Sequence, residues 1–310
     1  MTQIFTRSGS PASSLCFGTM QFGGNADHAA SRDLYNSCRA AGLNFFDTAY
    51  VYNGGTSEKY LGEFAADELD EVILATKINY DHPSTRQTII DSTKTSLDRM
   101  KLDQVDLMYL HRWDGDTPLE ESFEALAELK SAGKFRYVGI SNFAAWQVVK
   151  ACQIAARFDL KIDVLQPMYN LVKRQAEVEI LPACADQDVA VVPYSPLGGG
   201  LLTGKYAGGE SGRLHEVDMY KNRYNVAWMH ETAAALPALA AAHNAQAATL
   251  AVSWVAHNPR VAAPIISARS VAQLQPSLDA LQFEMTDALY ADITALSQTP
   301  PPATDRLEEA

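Results

Sequence analysis

Cysteine is scarce in this 310-residue chain, with Cys16, Cys38, Cys152 and Cys184 as the whole complement. Their separations match no metal-ligand spacing, so they read as reduced thiols, neither a disulfide framework nor a metal centre. Basic residues are also in deficit: 25 Lys and Arg stand against 37 Asp and Glu, for a net charge of -12. That balance argues against a nucleic-acid or anionic-membrane surface, although a few lysines and arginines can still line a pocket for an anion. No apolar run is long enough to cross a bilayer and no signal peptide opens the chain, so a cytoplasmic protein is expected. No GxGxxG loop follows a strand-like segment. A Rossmann domain is therefore not the expected source of any dinucleotide binding.

What is present is a repeat. Hydrophobic residues make up 47% of the chain and gather into eight short runs, at 14–18, 44–47, 72–77, 105–111, 137–141, 164–166, 190–195 and 262–267. From Gly18 to Tyr194 the run ends fall about 30 residues apart, the length of a strand, a loop and a helix. The runs are apolar almost throughout, as parallel strands covered on both faces should be. Amphipathic segments fill the gaps. Residues 29–41 stop at Gly42, 84–100 open on a capping Ser84 with Ile89, Ile90 and Leu97 on one face, and 118–132 run from Pro118 to Gly133.

Eight such units predict an α/β protein, a (β/α)8 TIM barrel, with residues 1–310 as one domain. The Ser8-Gly9-Ser10 turn predicts an N-terminal hairpin across the barrel floor. Segments 271–281 and 286–297 predict extra C-terminal helices, and the proline-rich, acidic stretch 299–310 predicts a flexible tail. The interval between the seventh and eighth runs is more than twice the usual length. It holds Gly198-Gly199-Gly200 and a polar, aromatic stretch at 205–228, and insertions of this kind on the C-terminal face commonly build a binding site.

Several of these apolar strands end on residues that are costly to bury unpaired. Asp47 closes the second, Lys77 the third and His111 the fourth, with Tyr52 five residues beyond Asp47. At the C-terminal mouth of a barrel the four can converge. Asp47 is the natural partner of Lys77. The ammonium beside the Tyr52 phenol is expected to lower its pKa from a reference near ~10, giving an acid and base usable near neutrality. His111 can then orient a carbonyl. The set describes reversible proton transfer to a carbonyl oxygen, and that needs a hydride source. Ser141, Asn142 and Gln166, on the fifth and sixth strand ends, offer the donors and acceptors of a nicotinamide carboxamide, and Tyr194 on the seventh offers a face for the ring.

Together these motifs resemble the aldo-keto reductases over nearly the whole chain. Gly18-Thr19-Met20-Gln21-Phe22-Gly23 is similar to that family's first-strand loop, Phe46-Asp47-Thr48-Ala49 with Tyr52 to its second, and Gly139-Ile140-Ser141-Asn142-Phe143 to its fifth. The stretch from Tyr194-Ser195-Pro196-Leu197 to Lys205 resembles the bacterial branch that also contains potassium-channel β-subunits and aflatoxin-aldehyde reductases. The resemblance implies the Asp47, Tyr52, Lys77, His111 tetrad and a cofactor held by Gly18, Thr19 and Met20. It also implies a diphosphate along the Gly198–Leu201 backbone, including Gly199 and Leu201, with Lys205 beside it. Ser267, Arg269 and Gln273 match the family's site for the adenosine 2′-phosphate, so NADP(H) is favoured over NAD(H). The family usually has glycine where this chain has Ser267, and an acid followed by asparagine where it has Pro276 and Ser277. The adenine contacts at that end are thereby left open.

The mouth of the site is expected to be rimmed by Met20, Phe22, Tyr50 and Trp113, with Tyr220, Tyr224 or Trp228 from the long interval. Of these, Phe22, Tyr50 and Trp113 are the expected substrate contacts. An aromatic rim suits apolar or aromatic aldehydes and ketones, or the apolar face of a sugar. The expected partner is thus a small carbonyl compound or alcohol, without nucleic acid, membrane or metal. Two alternatives remain. One is a cofactor-binding regulatory subunit like the channel β-proteins, disfavoured by the acidic balance and short leader. The other is a Schiff-base barrel lyase that uses Lys77.

Overall fold

The computed structural model describes residues 2–208, 212–304, 306 and 308. Eight strands lie in order as β1 (Cys16–Gly18), β2 (Phe45–Asp47), β3 (Ile73–Ile78), β4 (Val105–Leu110), β5 (Phe135–Ser141), β6 (Val164–Gln166), β7 (Ala190–Val191) and β8 (Ile265–Ile266). They form one curled sheet in the order β7-β6-β5-β4-β3-β2-β1-β8, every neighbouring pair parallel. Between the two edge strands, Ala262 N donates to Val191 O and Ile265 N to Pro193 O, each at 2.8 Å. The arrangement is that of a TIM-type barrel. Its last two strands are shorter than their apolar runs because Pro193 and Pro264 bring no N–H to the ladder.

The core is split by the sheet. One apolar cluster fills the space between strands and helices, through Phe17, Phe46, Leu74, Met108, Val138 and Leu165. The other fills the interior, through Cys16, Phe45, Ile73, Ala75, Leu107, Tyr109 and Val164. The two sets alternate along each strand, as the pleat requires. Ile4 joins the interior cluster from the leader. There a tight turn, with Thr6 N bonded to Ser10 O at 2.8 Å and Phe5 bridged antiparallel to Pro11, makes the expected hairpin.

Helix starts differ slightly from the sequence reading. Thr85, not Ser84, caps the helix Arg86–Met100, its side chain accepting from Thr88 N, and Pro118 is itself the cap of Leu119–Ser131. Ile90 is only half-buried on its helix, while Ile89 and Leu97 are buried. After the last strand come the helices Val271–Leu278 and Asp287–Ala295. The interval before β8 holds Asp218–Tyr224, Ala227–Ala242 and Ala247–His257, with residues 209–211 of the expected binding segment outside the described residues. The expected tail at 299–310 likewise falls partly outside them.

One close approach sets a test of packing. Gly62, on the helix Thr56–Ala65, faces the end of Arg86–Met100, and a Cβ there would sit 2.2 Å from the Met100 carbonyl oxygen. Backbone cannot swing aside as a side chain can. Gly62→Ala should therefore destabilise the fold by about 1–3 kcal/mol, the usual cost of overpacking. A lower denaturation midpoint at unchanged slope would show it. An unchanged midpoint would mean that the two helices separate freely.

Candidate active site

The interior side chains lead up each strand to a polar end. Phe45 is followed two residues on by Asp47, Ala75 by Lys77, Tyr109 by His111, and Val164 by Gln166. Strand register sets Lys77 beside Tyr109 and Ser141 beside Gln166. Gly139, opposite Tyr109, leaves room for its ring, since a Cβ there would lie 2.2 Å from Tyr109 Cδ1. These ends surround a cavity of about 720 Å3, lined by Asp47, Tyr52 and His111 and extending past Lys205 to Arg269.

Lys77 and Asp47 are buried at its foot. The Lys77 ammonium is bonded to Asp47 Oδ1 and donates to the Thr48 carbonyl at 2.7 Å, while Gln166 Nε2 donates to Asp47 Oδ2 at 3.0 Å. The same ammonium lies 5.0 Å from the centre of the Tyr52 ring. Tyr52 meets His111 edge to face, with centroids 6.0 Å apart. The loop carrying Tyr52 is tied down on both sides. Arg99 donates to the Tyr50 carbonyl at 2.8 Å, and Asn53 Nδ2 to the carbonyls of Met20 and Phe22, each at 2.8 Å. Directly after Tyr52 the chain turns through Asn53, Gly54 and Gly55, all at positive φ, which the two glycines adopt without a Cβ clash.

Burial works against the Lys77 ammonium, but the charges of Asp47 and Tyr52 outweigh it, and its pKa rises. Burial raises the Asp47 carboxyl against the pull of Lys77 and the Gln166 hydrogen bond. The Tyr52 pKa also rises. Burial is the largest cause, Lys77 opposes it, and Asp47 adds to it. This corrects the expectation of a lowered phenol: the ammonium favours phenolate, but a carboxylate in contact offsets part of its charge, so desolvation wins. His111 is pushed down to about 2, by burial first and then by Lys77 and Arg112. It is a neutral imidazole. Its Nδ1 is buried with no hydrogen-bond partner among the described residues, a condition that a bound molecule can relieve.

Every residue expected to hold a cofactor lines this cavity except Thr19, Gly198 and Leu201. Thr19 is buried beneath it, its hydroxyl bonded to the Asp47 carbonyl at 3.1 Å and paired with the Ser57 hydroxyl at 2.8 Å, and Leu201 is packed in the core. Asn142 is engaged within the protein, donating to the His111 carbonyl at 3.0 Å and accepting from the Tyr194 hydroxyl at 2.8 Å. It braces two neighbours of the site. Ser267 Oγ is buried without a partner among the described residues, and Gln273 Oε1 accepts from Arg269 N at 2.8 Å.

The three expected substrate contacts do not line the cavity. Phe22 is buried against Phe17 and Phe64, Tyr50 lies under the Arg99 guanidinium at 4.4 Å, and Trp113 packs edge-on against Phe143 and Trp146. Past the end of β4 the two-residue alternation no longer governs direction, so proximity to His111 in sequence did not carry Trp113 inward. Met20 does line the cavity, and so does Tyr220, whereas Tyr224 is buried beside Asn170.

A sequence profile for the Aldo/keto reductase family matches residues 14–298. The chain belongs to the aldo/keto reductase family. A probable voltage-gated potassium channel β-subunit of Oryza sativa subsp. japonica is 33% identical to this reductase-family chain over 318 residues, covering 96% of it and 97% of the relative. Aflatoxin B1 aldehyde reductase member 2 of Homo sapiens is 33% identical over 299 residues, covering 88% and 82%. Norsolorinic acid reductase of Aspergillus flavus is 30% identical over 315 residues, covering 94% and 79%. The resemblance drawn from the motifs, including its branch, is thus borne out. No helix among the described residues is long and apolar enough to cross a membrane.

Sequence reasoning missed Tyr80, Arg112, Val51 and Arg223, all of which line the cavity of this family member. Tyr80 follows Lys77 by three residues and Arg112 directly follows His111. Both lie past their strand ends, at odd offsets from the inward-facing Lys77 and His111, so the period of two that found the tetrad did not point to them. Arg223 lies on a short helix of the long interval, where no periodic signal pointed inward.

Proposed function

We propose that this chain is an NADPH-dependent carbonyl reductase, converting an aldehyde or ketone reversibly to an alcohol, with residues 1–310 as one catalytic domain. The observation that carries the reading is the buried Lys77–Asp47 pair at the foot of a deep cavity, beside the Tyr52 phenol and a neutral His111. When bound, NADPH supplies the hydride. Tyr52 holds the proton at its phenol oxygen and passes it to the carbonyl oxygen, and the Lys77 ammonium stabilises the phenolate that remains. His111 hydrogen-bonds the carbonyl oxygen and fixes its position. Asp47 keeps Lys77 charged, and Gln166 keeps Asp47 oriented.

The residues present fit this cofactor. Lys205 and the backbone at Gly199 would hold the diphosphate, Gly199 having φ 67 and the Tyr220 ring 2.6 Å from where its Cβ would stand. Gln166, Ser141 and Tyr194 would hold the nicotinamide. Ser267 and Arg269, which among the described residues have no hydroxyl partner and no ion pair respectively, would hold the 2′-phosphate.

Arg269→Ala tests that assignment. NADPH binding should weaken by ~1.5–3 kcal/mol, the range for a charge-assisted hydrogen-bonding group, while NADH binding hardly changes. Salt should erode NADPH binding more than NADH binding in the wild type. Equal losses for both cofactors in a fluorescence titration would make Arg269 structural.

A regulatory, cofactor-binding subunit is the second reading, favoured by the full-length similarity to the rice channel subunit. Screening NADPH oxidation over aldehydes, ketones and sugars separates the two, because only the reductase turns over. The lyase reading is disfavoured by the raised pKa of Lys77, which keeps its nitrogen protonated and without a free lone pair. Borohydride without NADPH should trap no adduct.

A further inference from the structure

The charge inside the cavity runs against that of the chain. The whole carries -12, yet among the described residues the lining holds Arg112, Lys205, Arg223 and Arg269 against one carboxylate, Asp47, which is already bonded to Lys77. Lys205 and Arg269 are accounted for by the phosphates of the cofactor in the reading above, on which this inference rests. Arg112 and Arg223 are not. Neither makes an ion pair among the described residues.

Arg112 directly follows His111 in the chain. Its guanidinium lies 5.7 Å from the centre of the Tyr80 ring, and that ring is tilted against His111 at 4.7 Å. Its charge is felt at His111. Arg223, also on the lining, lies 5.7 Å from the centre of the Tyr220 ring. A guanidinium resting against an aromatic ring is positioned by it while its N–H groups stay free to donate, and their fork matches carboxylate or phosphate oxygens. With no free carboxylate among the described lining residues to offset them, two such groups draw in anions and turn away cations.

We propose that the substrate carries an oxyanion, a carboxylate or a phosphate, in addition to its carbonyl, and that Arg112 binds it while Arg223 adds to the attracting field. With the carbonyl oxygen at Tyr52 and His111, the second anchor limits the substrate to molecules whose anionic group lies on the Arg112 and Tyr80 side of the cavity. Neutral and cationic carbonyl compounds lose that anchor. The aromatic surface of Tyr80 can still hold their apolar parts.

The test compares kcat/KM with NADPH for two matched pairs of aldehydes. The first is 4-carboxybenzaldehyde against methyl 4-formylbenzoate, and the second is glyceraldehyde 3-phosphate against glyceraldehyde. In at least one pair the anion should be favoured by about tenfold or more, with the preference falling as salt is added. Preference in the first pair alone identifies a carboxylate, and in the second alone a phosphate. Arg112→Gln should collapse the favoured ratio toward unity, and Arg112→Lys should keep part of it. NADPH titration of each variant shows that the cofactor site is intact. Equal turnover of charged and neutral partners in both pairs would overturn the proposal, as would an undiminished ratio in Arg112→Gln. Absence of turnover with every aldehyde would overturn the reductase reading, and this inference with it.

Discussion

Tyr52→Phe should lower turnover by about 10²–10⁴-fold, the usual worth of a positioned general acid. The substitution removes one oxygen and leaves the ring, so the edge-to-face contact with His111 is kept. NADPH affinity should stay nearly constant, because the interaction lost is one made in the transition state. A loss in kcat and kcat/KM together, with cofactor binding retained, is the expected pattern. More than about a tenth of wild-type turnover, in an assay limited by chemistry, would remove Tyr52 as the proton donor.

Lys77→Met should impair turnover on a similar scale, for a different reason. Lys77 is what opposes the upward push of burial on the Tyr52 pKa. Without the ammonium the phenolate loses its stabilisation, the phenol pKa rises further, and proton release becomes harder. The sign is specific. The limb of the pH profile assigned to Tyr52 should move to higher pH, never lower, and should be most visible in alcohol oxidation, where Tyr52 must begin as the base. Asp47, buried and left without its partner, should take up a proton, since burial already raises its pKa against Lys77. Lower stability is expected as well, and a melt separates that loss from the kinetic one. An unchanged rate and profile in a folded variant would take Lys77 out of the mechanism.

Much of this site could be read before folding was considered, because strands impose a period of two. A strand that buries Ala75 inward must bring Lys77 to the same side, and the same rule carries Phe45 to Asp47 and Val164 to Gln166. The eight apolar runs, their spacing and the residues that end them follow from local pattern alone. Even the shortened β7 and β8 were implicit in Pro193 and Pro264.

What tertiary structure decided lies where that period stops. Trp113 and Tyr50 stand close to the tetrad in sequence, yet one is drawn to Phe143 and Trp146 and the other to Arg99, residues 30 or more positions away. The Tyr52 pKa turned on the same distinction. Sequence placed an ammonium near a phenol, but the direction of the shift depended on how deeply the pair is buried and on a carboxylate already in contact with the ammonium. Adjacency along the chain specifies which groups are offered to a site. Desolvation and the balance of neighbouring charges exist only once distant segments have closed around them.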